Sequence, residues 1–191
     1  MNLKAAFVAL LVSLCMAATA HAQSDRWMGD LAEQYLGGPS PMDQTLAQFI
    51  FPGTHNSATY GIPDFDPLDP FNAPPVACEK CVDAETKSII ETPGLDVLMG
   101  YFMAPFAKAQ SADVLSQLRA GARALDLRFF RANAADAATS PELIPGEFYG
   151  HSWFASTHNA TTVFSQINTF LTEGGHEQEI IILQLVNHTF F

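Results

Sequence analysis

Apolar residues recur at the three- and four-residue spacing of an amphipathic helix in three parts of the chain. These parts lie within residues 23–48, 111–121 and 161–171. Glycine, which commonly ends a helix, follows each of them. Ser111 is predicted to cap the second helix, which carries Val114, Leu115 and Leu118.

Four short apolar runs are typical of β-strands, at about residues 46–51, 123–130, 147–150 and 179–187. In the second run Asp126 and Arg128 alternate with leucines, so these two polar side chains share one face of the strand. The fourth run is almost continuously apolar, as in a strand buried on both sides. Strands that alternate with helices predict a parallel α/β sheet.

Residues 61–110 interrupt this alternation. They contain seven prolines, at positions 63, 67, 70, 74, 75, 93 and 105. Few regular elements persist through so many prolines, so we interpret this segment as a long surface insertion. The rest of residues 23–191 is predicted to form a single domain.

The first 22 residues have the pattern of a secretory signal peptide. Lys4 precedes an apolar run of about 14 residues, too short to span a bilayer, and Ala20-His-Ala22 fits a cleavage site before Gln23. We therefore expect a secreted or periplasmic protein. Residues 1–22 contain Lys4 and no acidic residue, so cleavage would change the formal charge from −11 to −12. This charge argues against a nucleic-acid partner.

The predicted mature chain contains two cysteines, Cys78 and Cys81. In an exported protein, a small loop disulfide is the favoured interpretation of such a pair. Free thiols, a redox site and part of a metal site are the alternatives.

Polar clusters follow or lie within the first three predicted strands, and they contain His55, Asp126, Arg128 and His151. In parallel α/β folds such groups gather at the carboxyl ends of the strands. Histidine acts as an acid or base near neutral pH, arginine binds phosphate oxygens, and a carboxylate can orient a histidine. Singly, such a histidine is more commonly structural, and an Asp-x-Arg pair is more commonly a plain ion pair. Together the four predict a phosphodiesterase that needs no metal.

Two blocks of the sequence resemble a known family. Phe51-Pro-Gly-Thr-His-Asn-Ser57 and Gln117-Leu-Arg-Ala-Gly-Ala-Arg-Ala-Leu-Asp-Leu-Arg128 are similar to motifs of phosphatidylinositol-specific phospholipase C X domains. Gly150-His151 lies where that family places its second histidine. The resemblance covers roughly residues 44–60 and 108–188.

The resemblance implies a (β/α)8 barrel of the TIM type. Such a barrel takes about 250 residues, so only its N-terminal half is expected in this truncated catalytic domain. His55 would be the general base that deprotonates the inositol 2-hydroxyl, and His151 the general acid for the diacylglycerol oxygen. Arg128 would bind the phosphate, Asp126 would support the site, and Asn56 would join Arg128 in binding the substrate. The implied partner is a phospholipid at a membrane surface.

No cofactor is expected, with calcium as the alternative. Calcium-dependent members of the family place acidic residues on the second strand and an asparagine after the first histidine. This chain has Asn56, but Arg128 lies where their second acid would be. A guanidinium there would repel a divalent cation.

Two alternative functions remain open: a phosphodiesterase acting on another phospholipid or a glycerophosphodiester, and a catalytically inactive secreted fragment or binding protein. The oligomeric state is open as well. Two further histidines have no catalytic position in the resemblance. His176, at a helix end, is expected at the surface, and His188, at a strand end, could reach the site.

Overall fold

The computed structural model describes residues 25–34, 50–63, 105–139, 142–152 and 154–187, and single residues 85, 88 and 92. The predicted signal peptide, both cysteines, His188 and most of the proline-rich insertion lie outside these residues. Within the described part of the chain, no helix is long and apolar enough to cross a membrane.

Among the described residues, four α-helices and one 3-10 helix have defined bounds, and residues 105–107 are helical as well. Those with defined bounds are α1 (Trp27–Gln34), the 3-10 helix (Thr59–Gly61), α2 (Val114–Arg119), α3 (Ala134–Thr139) and α4 (Ala160–Thr172). The three predicted helices correspond to α1, α2 and α4, whereas α3 was not predicted. The predicted cap of α2 is wrong, because Asp113 rather than Ser111 accepts the hydrogen bond from the Ser116 N–H at 2.7 Å.

Five strands form one sheet. They are β1 (Gly53–Thr54), β2 (Ala124–Arg131), β3 (Phe148–His151), β4 (Ala155–Asn159) and β5 (Ile182–Asn187). The central strand β2 pairs in parallel with β1 and β5 and antiparallel with β3, which in turn pairs antiparallel with β4. The protein is therefore mixed α/β, and its assignment as the N-terminal half of a (β/α)8 barrel stays a prediction.

The expectation of a wholly parallel sheet is wrong at β3 and β4. Only a short turn joins these strands, in which the Ser152 N–H donates to the Phe154 carbonyl at 3.1 Å. So short a connection can join only antiparallel neighbours, because a parallel pair needs a crossover of a dozen or more residues.

The strand predicted at about residues 46–51 is not formed by its described residues 50 and 51, and β1 lies just after them. Ile50 is almost fully exposed and lies outside any strand, while residues 46–49 are not described. Pro52 has no N–H to donate, but its carbonyl accepts hydrogen bonds from the N–H groups of Arg123 and Ala124, at 2.8 and 3.1 Å. Regular pairing with β2 therefore starts only at Gly53.

The two faces of β2 differ in chemistry. Leu125, Leu127 and Phe129 face the helices and belong to a core that includes Val114, Leu118, Val163, Ile167 and Phe170 of α2 and α4. Asp126 and Arg128 share the opposite face, as the alternation predicted. The helices thus cover one side of the sheet, and the candidate site occupies the other.

A buried ion pair joins the start of β2 to the segment before β5 and to α1. The Arg123 Nε donates to Glu179 Oε2 at 2.7 Å, and both side chains are 0% exposed. Glu179 Oε1 accepts from the Gly29 N–H of α1 at 3.0 Å. The Arg123 guanidinium also donates to the Asp25 carbonyl and lies 4.7 Å from the Phe170 ring centroid.

Candidate active site

The turn that follows β1 carries His55 and is bonded directly to β2. The Ser57 N–H donates to the Asp126 carbonyl at 2.8 Å. Within the turn, the Thr54 and Ser57 hydroxyl oxygens lie 2.8 Å apart. Asn56 has a φ of 50°, a left-handed conformation that asparagine tolerates better than most residues. These contacts fix the turn against the polar face of the sheet.

Three of the four predicted catalytic residues form one hydrogen-bonded network centred on Asp126. Its Oδ2 lies 2.8 Å from His55 Nδ1 and 3.0 Å from Arg128 Nη2, and Arg128 Nε lies 3.3 Å from Oδ1. Asp126 is largely buried, whereas the His55 side chain is 64% exposed. A carboxylate on Nδ1 favours the neutral tautomer protonated there, which leaves Nε2 as the nitrogen able to accept a proton.

Opposing effects act on the acidity of Asp126. Burial alone would raise the pKa of its carboxyl group. Hydrogen bonds from Arg128 and the Asn56 N–H, together with the charges of Arg128 and His55, outweigh burial and hold that pKa below its ordinary value. Asp126 is therefore an anion at neutral pH.

Asn56 contributes to this network through its backbone, since its N–H lies 3.4 Å from Asp126 Oδ2. Its side chain is buried, and Oδ1 has no hydrogen-bond partner among the described residues. Asn56 as a substrate-binding residue stays a prediction.

His151 lies at the end of β3, beside β2. Phe129 pairs with Gly150, and continuing this antiparallel register by one residue sets His151 opposite Arg128. The His151 side chain is 2% exposed, its Nδ1 lies 2.9 Å from the Ser152 carbonyl, and its ring meets Phe130 edge-on. The strand that carries His151 is thus antiparallel to β2, rather than parallel as expected.

The β3–β4 hairpin packs closely against the segment that follows the His55 turn. A Cβ atom added at Gly150 would lie 2.6 Å from the Ala58 carbonyl oxygen, which is a backbone atom with little room to move. Only glycine, which has no Cβ, allows the two backbone segments to lie this close. The residue before His151 therefore contacts the segment that follows His55 directly.

Two glutamines at this site were not predicted. Gln110 Nε2 donates to the His55 carbonyl at 3.0 Å, and Gln117 Nε2 donates to the Ser57 carbonyl at 2.9 Å. The sequence held two signals for Gln117. It is the first residue of the second block that resembles the family, and its helical spacing from Val114 and Leu118 puts this amide on an apolar face. No pattern in the sequence indicates the contact of Gln110 with the His55 carbonyl.

Outside the network, the expectation that His176 is a surface residue is wrong. It is buried, its Nδ1 lies 2.7 Å from the Phe170 carbonyl, and its ring stacks on Phe170 with centroids 4.0 Å apart. His158 packs against the Tyr60 ring at 4.8 Å.

The residues around Asp126 do not fit a calcium ion. Among the described residues, no group of three or more histidine, cysteine or acidic side chains could hold a metal. Both oxygens of the Asp126 carboxylate already accept hydrogen bonds from Arg128, and the guanidinium charge beside them would repel a divalent cation.

Comparison with known proteins gives one similarity in structure. No family model matches the chain, and no curated protein matches its sequence. A structure of the S. aureus phosphatidylinositol-specific phospholipase C, from work on the modulation of its membrane binding, matches with a TM-score of 0.47 and 17% sequence identity. The match covers 88% of this chain and 37% of that one. Similarity at this level defines neither the fold nor the activity of this chain.

Proposed function

We propose that this protein is a phosphoric diester hydrolase of the phosphatidylinositol-specific phospholipase C type, which cleaves the phosphodiester of a phospholipid. One observation carries the proposal: the Asp126 carboxylate holds both His55, at 2.8 Å, and Arg128, at 3.0 Å. A base and an anion-binding group are thereby fixed to the same support.

In the proposed reaction, His55 acts through Nε2. This nitrogen takes the proton from a hydroxyl of the head group, and the hydroxyl oxygen forms a bond to phosphorus. The imidazolium that forms is stabilised by Asp126, as in other histidine–carboxylate pairs. The exposure of the His55 side chain leaves room for a substrate hydroxyl.

Arg128 stabilises the negative charge that develops on the non-bridging phosphate oxygens. Its Nε and Nη2 contact Asp126, which leaves Nη1 for the substrate. Because Asp126 already fixes the guanidinium plane, little side-chain freedom is lost when the phosphate binds.

His151 is the proposed general acid. It donates a proton to the glycerol oxygen as the phosphorus–oxygen bond breaks, so the products are diacylglycerol and a cyclic phosphate of the head group. Extending the β2–β3 register by one residue would set His151 opposite Arg128, which supports this role. A phospholipid at a membrane surface is the proposed substrate, in keeping with the predicted export of the chain.

A second candidate function is that of a catalytically inactive binding protein. The burial of His151 favours it, because a general acid has to reach the leaving oxygen. The two candidates differ in whether His151 transfers a proton, and a leaving-group experiment can measure this.

The first test follows the phosphorus NMR signal of phosphatidylinositol vesicles incubated with the purified protein in excess chelator. We expect a cyclic inositol phosphate to form and the rate to fall about 10³-fold in His55→Ala. If wild-type protein that is shown to be folded gives no product, even after calcium is restored, the binding protein becomes the better description. Vesicles of other phospholipids in parallel would identify a different head group.

The second test asks whether His151 is the acid. A nitrophenol leaving group departs without a proton, so His151→Ala should cleave a nitrophenyl phosphodiester of inositol at nearly the wild-type rate while losing about 10²-fold on phosphatidylinositol. His55→Ala should be slow on both substrates. Equal losses of His151→Ala on the two substrates would remove His151 as the acid.

A further inference from the structure

The turn that carries His55 is held by side chains along its carbonyl edge. Three consecutive carbonyl oxygens, of residues 55, 56 and 57, each accept a hydrogen bond from a side chain. The donors are Gln110 Nε2 at 3.0 Å, Thr59 Oγ1 at 2.8 Å and Gln117 Nε2 at 2.9 Å. Of these three donors, Gln117 alone belongs to an α-helix, and Thr59 begins the 3-10 helix.

Gln117 combines two properties that the other donors have singly: it is buried, as Thr59 is, and it lies far from its acceptor in sequence, as Gln110 does. Its side chain is 4% exposed, and its Nε2 also donates to the Ala112 carbonyl at 2.7 Å, so both amide hydrogens are used. The bond to Ser57 spans 60 residues of sequence. Because this hydrogen bond lies in a region of low dielectric, it is stronger than an exposed one.

The opposite edge of the same turn is held by Asp126. The N–H groups of Asn56 and Ser57 donate to the Asp126 carboxylate and carbonyl, at 3.4 and 2.8 Å. Asn56 between these contacts has a left-handed φ, which costs conformational energy unless the surroundings hold it. The Gln117 amide supplies that support from the side opposite to Asp126.

The amide oxygen of Gln117 differs from its nitrogen in having no hydrogen bond to a described residue. This oxygen, Oε1, is buried. A buried acceptor without a partner destabilises the fold, so stability alone does not explain a glutamine here.

We propose that Gln117 is a positioning residue, whose amide fixes the His55 turn so that Nδ1 of His55 meets Asp126. This proposal rests on the proposed function for its effect on rate, but the position of the imidazole is measurable without any activity. Loss of the amide would leave the Ser57 carbonyl buried without its donor, and the turn would relax away from Asp126.

The test compares Gln117→Met and Gln117→Glu with wild type. Methionine keeps the volume and removes the donor, and ionised glutamate replaces the donor by an acceptor. We expect kcat to fall about 10²-fold with KM changed by less than about threefold, since a small displacement of a reacting group has an effect of this size. The ¹⁵N chemical shifts of the His55 imidazole, which report its tautomer, should move toward those of a free histidine.

Gln166→Met is the matched control. Gln166 Oε1 accepts from the Tyr60 hydroxyl at 3.2 Å and the Val114 N–H at 3.0 Å, so it also joins separate elements. Its described bonds do not reach residues 55–57. It should lower the melting temperature while leaving kcat and the His55 shifts near wild-type values.

Each of the following outcomes either supports or overturns the positioning role of Gln117. Folded Gln117 variants with unchanged His55 shifts would overturn the proposal, and so would a Gln166 variant with equal effects. If neither Gln117 variant folds, the residue is structural and the proposal is wrong. If wild type lacks activity but the shifts move only in the Gln117 variants, the proposed function fails and the positioning role stands.

Discussion

At the scale of single residues, the Asp126 carboxylate accepts hydrogen bonds from two side chains with different roles in the proposed reaction. Nδ1 of His55 and the guanidinium of Arg128 both reach it within hydrogen-bonding distance. The charge of Arg128 is thereby balanced before a substrate binds, and the imidazole is oriented. Loss of the Asp126 carboxylate should therefore change the orientation of His55 and leave the charge of Arg128 unbalanced at the same time.

The depressed pKa of Asp126 predicts how this network responds to acid. A carboxyl group with a folded pKa below its unfolded value stabilises the protein above the unfolded value. That stability is lost as pH falls through the folded pKa, which lies below the ordinary value of 3.8. Asp126→Asn should therefore melt below wild type at neutral pH, and the difference should shrink as pH drops below about 4.

Thermal unfolding of both proteins between neutral pH and about pH 2 measures this difference. A gap that stays constant over the whole range would mean that the ionised carboxylate contributes nothing to stability. Asp113→Asn is the comparison variant for Asp126→Asn in these melting experiments. Asp113 caps α2 and is distant in sequence from the His55 turn.

At the scale of elements, β5 is an exposed strand with apolar side chains on both faces. Within the described residues it pairs with β2 only, and Ile182, Leu183 and Leu185 are all exposed. An apolar strand with an open edge is prone to pair with other chains. Self-association through β5 is the expected behaviour.

Leu185→Lys tests this expectation, since Leu185 is 61% exposed and a lysine on an edge strand opposes pairing. We expect the variant to sediment as a smaller species than wild type at the same concentration. Leu171→Lys introduces the same charge at an exposed leucine on α4 and should change nothing. Identical sedimentation of all three proteins would show that β5 does not drive association.

The elements differ in how clearly the sequence encodes them. β2 was predicted because leucines alternate with Asp126 and Arg128, and this alternation follows from one face packing on helices. β4 was not, because Ala155-Ser-Thr-His-Asn159 has no apolar periodicity, and its strand conformation comes from pairing with β3. Strand direction is likewise a tertiary property, so the antiparallel hairpin was missed.

The candidate site likewise has some features that the local sequence encodes and others that depend on tertiary contacts. His55, Asp126 and Arg128 stand out because their chemistry is unusual beside apolar runs, and the structure joins them. The contact between Gln117 and Ser57 depends on how α2 lies against the turn, which sequence spacing does not specify. The sequence thus indicates which side chains have the chemistry for a site, but it does not indicate which residues support them through tertiary contacts.

At the scale of the whole molecule, the buried Arg123–Glu179 pair ties α1, β2 and the segment before β5 together. Removing one partner leaves a buried charge without compensation, so Arg123→Met should lower the free energy of unfolding by about 3–5 kcal/mol. Urea denaturation measures this. The double variant Arg123→Met/Glu179→Met should lose less than the sum of the two single variants.

Arg119 and Glu173 provide the control for this prediction. They form an exposed ion pair between α2 and the end of α4. Solvent screens such a pair, so Arg119→Met should leave the denaturation midpoint nearly unchanged. Comparable losses in the Arg119 and Arg123 variants would mean that burial does not set the strength of these pairs.

The antiparallel hairpin has a consequence for the order in which the chain folds. The β3–β4 contacts are local and form quickly, whereas the pairing of Asn56 with Asp126 joins residues 70 apart and requires a long loop to close. His151 would thus reach its strand early, and His55 would arrive late. A refolding protein should bury Phe130 and Tyr149, which pair across β2 and β3, well before the His55 imidazole takes up its folded environment. The lag between the two signals measures the closure of that loop.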